Sequence, residues 1–404
     1  MGFLNTSKWL KISVFNLIFV AIAGCLMRYK ILYSFPILQQ KHILHAHSHF
    51  AFSGWISLAI MAFMIQFISK HIALNKKKYE TFLTIHLICS YGMLISFSLQ
   101  GYGLFSIGFS TLSIIINLLF AIQFWKDLNR MEQKTITSKW FKAALFFSVL
   151  SALGTFALSF LMANKIIHQN WYLLAIYFFL HFQYNGWFLF SCFGFMNDKL
   201  EKAGANKIVL LKIFRLFTFA CIPAYFLSAL WLDLPIWLFL IVIFASIAQV
   251  FGWTLFVKEI LKIKNQLKPI LINNSWFYFL LVLVAMSIKV LLQLGSTIPW
   301  LSTLAFGFRP IVIGYLHLVL LGIITLFLLS NYLANQHFFL TKSIKTGLNI
   351  FVVGIILNEM ILMIQGSSAI SYFSVPFANE GLLLASVTML IGISILARGF
   401  IKSK

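Results

Sequence analysis

His45-Ala46-His47-Ser48-His49 places three imidazoles in five residues, at the head of an apolar run that continues Phe50-Ala51-Phe52-Ser53-Gly54-Trp55 to about Ile68. An imidazole taken into lipid loses its hydration, so three together ask for a role beyond packing. Neutral imidazole ligates transition metals and haem iron, and those are the chemistries such a cluster can perform. On a helix His45 and His49 are i,i+4 and share a face, whereas His47 is turned by about 200°. The three therefore do not converge on one ion.

The elements that must position these residues are membrane helices. Of 404 residues 61% are hydrophobic and only 10% charged, and apolar runs recur from end to end. They are long enough for helices that span a bilayer and too continuous for barrel strands. Twelve spans are expected, at roughly 9–28, 44–68, 80–100, 104–125, 140–163, 171–196, 209–231, 233–257, 275–295, 310–333, 344–365 and 378–399. The fold class is all-α, a polytopic membrane protein forming a single integral membrane domain over 1–404, with no Pro/Ser/Gly linker between halves.

Charge gives the orientation. Of the 31 lysines and arginines, Arg28, Lys30, Lys41, Lys165 and Arg309 fall in one set of alternate loops and Lys289 within a span. All the others lie with the termini, which predicts both termini cytoplasmic. The net charge of +22 is then orientation charge facing anionic lipid, and nucleic acid is not an expected partner.

The other histidines sort by depth. His181 lies well inside the sixth span, and His317 about seven residues into the tenth. With the second-span cluster they fall in one outer layer of the bilayer. His42 and His168 belong to outer loops, His71 and His337 to cytoplasmic boundaries, and His86 to the inner part of the third span. Each has a plainer reading: His45 as an interfacial residue in water, His317 as a hydrogen-bonded core histidine, and His181 within a packing network formed with Gln183, Tyr184 and Asn185. Lys289 and Glu359 lie toward the same layer and can neutralise one another. Arg309, at the outer mouth of the tenth span, suits either a carboxylate or an ordinary interfacial position.

Cys25, Cys89, Cys192 and Cys221 lie within spans without CxxC spacing, so neither a disulfide framework nor a zinc site is indicated. Ile22-Ala23-Gly24-Cys25 follows a basic start and an apolar stretch, the pattern of a bacterial lipoprotein signal; retention as a first helix is the expectation, and lipidation at Cys25 the alternative. There is no Ser/His/Asp set, carboxylate dyad or phosphate loop.

Twelve spans with histidines on the second, sixth and tenth resemble subunit I of the haem–copper oxidases, over the whole topology but through short motifs. The resemblance implies a low-spin haem, expected as b-type, held by His317 and one of His45, His47 or His49, with His47 or His49 favoured by depth. Arg309 would then meet a propionate, and His181 would match a copper position. His47-Ser48-His49 followed by Gly54-Trp55 is similar to the cbb3-type and nitric-oxide-reductase branch. Membrane proteins of nitric-oxide metabolism that carry haem and copper on twelve helices offer a second analogy. The departures are specific: the seventh span has no histidine for copper, and Tyr315 stands where the family has its high-spin haem ligand. A divergent member without oxygen-reducing chemistry is expected, acting in electron transfer or in handling or sensing a diatomic gas, with a redox or subunit partner in the bacterial inner membrane. The alternatives are copper or zinc handling or transport through His45, His49 and His181, and a structural subunit.

Overall fold

In the computed structural model, which describes residues 6–335, 340–370 and 373–402, the chain is helical, with no strand among the described residues. His337 lies outside them. The long helices are α1 (Thr6–Leu32), α2 (Gln40–Ile68), α3 (Lys76–Gln100), α4 (Leu104–Asn129), α5 (Ile136–Ala163), α6 (169–202), α7 (Lys207–Cys221), α8 (Ile236–Lys262), α9 (Ser275–Gly295), α10 (Arg309–Leu333), α11 (Lys342–Ile370) and α12 (Ala378–Lys402). Among the described residues ten helices are long and apolar enough to cross a bilayer, eleven if the broken pair starting at Lys207 counts as one span. The helix at 169–202 falls outside that set because the polar string His181–Trp187 dilutes its hydropathy.

Local chemistry sets several helix ends. Asn75, Thr135 and Asn206 cap α3, α5 and α7, their side-chain oxygens accepting from the Lys78, Ser138 and Ile208 amides. Gly101, at φ +63°, ends α3 in a conformation that glycine adopts without strain. After α7, Pro223 cannot donate a backbone hydrogen bond, and the chain tightens into a 3-10 helix, Pro223–Ala229, bent by 45° from α7.

Packing groups the chain into two units, 1–131 with 335–404, and 132–334. In the first, α11 pairs with α12, α12 with α1, and α2 with α3. In the second, α5 packs on α6, α8 on α7, and α9 on α8 and α10.

Two features depart from the expected spans. The second helix begins at Gln40, not near 44, so His42 belongs to it and not to a loop. Three helices also change register: α2 is π-helical over Ala51–Ser57, α6 over Phe182–Phe188 and α10 over Leu318–Thr325. A π segment holds one residue more per turn, which rotates the face presented beyond it, and such segments occur frequently at functional sites.

Candidate functional site

The π segments and the histidines coincide. His181 and His317 each end an α segment, and the next residue starts a π segment; His49 stands two residues before the third. A glycine follows each of these histidines at the same distance: His49 to Gly54, His181 to Gly186 and His317 to Gly322, with Trp55, Trp187 and Ile323 next. This H-x4-G repeat recurs on every fourth long helix. It was legible in the sequence by direct comparison of the three helices, a comparison that hydropathy does not make.

On α2 the faces separate as helical spacing requires. The His49 ring stacks on Phe97 at 4.3 Å, with Nε2 3.4 Å from the Tyr102 hydroxyl, a long contact. His45 meets Tyr102 edge-on at 4.6 Å, and its Nε2 is buried without a hydrogen-bond partner. Tyr102 lies in the turn between α3 and α4, where desolvation pushes its phenol above the usual range and keeps it protonated. His42 packs over Gly101 and extends the His45/His49 stripe by one turn.

His47 points the other way, toward α1. Its Nδ1 lies 3.0 Å from the Val20 carbonyl oxygen, and its Cε1 faces Gly24. A carbonyl only accepts, so Nδ1 carries the proton and Nε2 holds the lone pair. An N–H anchored to a backbone carbonyl is a common arrangement in histidines that ligate a metal through the other ring nitrogen.

The π segment of α2 is itself supported by buried side chains. His86 Nε2 donates to the Ser53 carbonyl at 3.0 Å, and Asn16 Nδ2 to the Gly54 carbonyl at 2.7 Å. His86 is therefore structural, a donor to backbone that the register change displaces.

In the second unit His181 is buried and fully engaged. Beyond Pro223 the Tyr225 amide bonds to Ile222 O, three residues back, and so does not reach the Cys221 carbonyl. His181 Nε2 donates to that carbonyl at 2.9 Å, while Nδ1 accepts from Asn185 Nδ2 at 3.2 Å. Neither ring nitrogen then offers a lone pair to a metal, so copper does not fit His181 in this arrangement. Among the described residues no three His, Cys, Asp or Glu side chains stand together to hold a metal ion.

The remaining candidates are distributed as follows. Tyr184 is buried and hydrogen-bonded to Ser228, and Tyr315 lies on α10 two residues before His317. Arg309 is exposed at the start of α10, and His317 is partly buried eight residues further on. Lys289 donates to Gln293 Oε1 at 2.6 Å, and Glu359 Oε1 accepts from its neighbour Asn358 at 3.0 Å. Cys25 lies within α1, its thiol hydrogen-bonded to Ser386.

Long apolar helices with many exposed aromatic and aliphatic side chains, and no strand among the described residues, mark a multi-pass membrane protein. Neither a known family model nor a curated protein sequence matches the chain.

Proposed function

We propose that this chain is a haem-binding protein of the bacterial inner membrane, with twelve spans and both termini cytoplasmic, acting in electron transfer or in handling or sensing a diatomic gas. The observation that carries the reading is His47: a histidine inside a membrane helix whose Nδ1–H is anchored on the Val20 carbonyl, leaving the Nε2 lone pair for iron. The recurrence of histidine, π segment and glycine on three helices supports a functional demand there, because a π segment gives up regular α-helical geometry.

A b-type haem would supply a one-electron couple and an iron that binds diatomic gases. The chain's own residues do the rest. Val20 fixes the tautomer and direction of His47, while Asn16 and His86 hold the backbone immediately beyond it. Oxygen reduction by a haem–copper pair is not part of this function: the helix at Lys207–Cys221 carries no histidine, and both nitrogens of His181 are committed. Optical spectra of protein expressed with haem supplementation test the reading. A Soret band with sharp α and β bands on reduction, abolished in His47→Ala, is expected; colourless protein would overturn it.

A further inference from the structure

We infer that Lys289 and Gln293 form a binding site for a small monovalent inorganic anion inside the second unit. Lys289 is 2% exposed and Gln293 6%, and both lie on the face of α9 that turns inward. An ammonium has three donor hydrogens. Here one of them goes to Gln293 Oε1, and no other hydrogen bond reaches the amine among the described residues.

Among the described residues of the second unit no carboxylate is recorded against the amine. Asp198, Glu201 and Glu259 are engaged elsewhere, with Lys202, with the start of α5 and with the Asn206 amide, and Glu132 and Asp233 are exposed at the surface. His181 and Cys221 lie within electrostatic reach of Lys289, but His181 already spends its one N–H on the Cys221 carbonyl. Further along α9, Met286 about one turn and Phe279 nearly three turns from Lys289 line a cavity of about 30 Å³ whose walls, including Phe193, Trp253 and Ile323, expose only apolar surface. That side contributes no compensating dipole.

A buried ammonium with one amide acceptor is far from the hydration it leaves, and an anion on its two remaining N–H groups restores the balance. Gln293 defines the geometry further. Its Oε1 accepts from the amine and fixes the direction in which the two remaining N–H groups point. Two donors of this kind suit a halide, nitrite or azide ion. Lys289 sits six residues from the Gly295 end of α9, roughly 9 Å along the axis, a depth that a small ion reaches more readily than a larger oxyanion.

The site does not depend on iron at His47. Azide is the probe, read by its infrared stretch in the purified full chain. A saturable bound-azide band is expected. It should be lost in Lys289→Met, weakened about tenfold in Gln293→Leu through loss of a hydrogen bond to a charged group, and kept in His47→Ala. The last arm separates this site from azide on a haem. Should Lys289→Met fail to fold, Gln293→Leu carries the test. No saturable band in the wild type, a band indifferent to both α9 substitutions, or a band lost only with His47 would each overturn the inference.

Discussion

Replacing His181 by phenylalanine should destabilise the protein strongly, and about half of the loss should disappear when Pro223 is also replaced. The reasoning rests on one carbonyl. Because bonding changes from i→i+4 to i→i+3 beyond Pro223, the Cys221 oxygen loses the Tyr225 amide and is taken by His181 Nε2 at 2.9 Å. His181→Phe keeps a ring in the buried space but leaves the Cys221 carbonyl and the Asn185 amide unsatisfied. Each buried orphan costs about 1–3 kcal/mol, so the single substitution should cost roughly 2–6 kcal/mol. Pro223→Ala restores a backbone N–H and removes the ring clash, allowing the ladder to continue to Tyr225. In that background only the Asn185 orphan remains, and the double-mutant cycle should show a coupling of about 1–3 kcal/mol. Reversible unfolding in mixed detergent micelles, titrated with a denaturing detergent, measures all four corners. Additive effects, with His181→Phe as costly in the Pro223→Ala protein as in the wild type, would refute the assignment of His181 as the donor that replaces the missing backbone bond.

The glycines of the repeat should not be equivalent. A Cβ at Gly186 would lie 2.5 Å from Phe147 Cβ, in a buried aromatic stack, so Gly186→Ala should cost about 1–3 kcal/mol, whereas Gly322→Ala meets nothing nearer than 3.6 Å and should stay within about 0.5 kcal/mol in the same unfolding assay. Glu201 accepts from the Ile136 and Thr137 amides at 3.1 and 3.3 Å, from Thr137 Oγ1 at 2.6 Å and from Asn197 at 2.9 Å, which ties the start of α5 to α6. Glu201→Gln removes the charge and misplaces a donor, and should cost about 1–3 kcal/mol, measured by thermal unfolding; no change would show that the cap is unimportant.

Hydropathy and charge made the helical membrane fold legible because burial in lipid demands long apolar runs with internally satisfied backbone. Helical spacing also separated His47 from His45 and His49 correctly, since it depends only on the turn angle. The start of α2 at Gln40 was not legible: Gln40, Lys41 and His42 are polar, and a hydropathy reading stops where apolar residues stop, although backbone bonding does not. The π segments were hidden for a different reason. An extra residue per turn leaves no compositional mark, and only the recurrence of glycine after His49, His181 and His317 betrays it. His181 was read as a copper position through the family resemblance, or as part of a packing network; its bond to Asn185 fits the network, while its Cys221 partner leaves no mark in the sequence. Its role depends on a carbonyl freed 42 positions later by Pro223. Lys289 was rightly singled out as buried, and its hydrogen-bond partner is Gln293, one turn further along the same helix.

The central claim is that His47 is prepared to bind iron. It is tested most directly by oxidised and reduced optical spectra of the purified wild type beside His47→Ala and His49→Ala, with His317→Ala run separately. The account predicts a haem spectrum in the wild type that His47→Ala abolishes, while His49→Ala, altering a ring stacked on Phe97, leaves the band positions unchanged. A wild-type haem spectrum that survives His47→Ala and is lost in His49→Ala would contradict it.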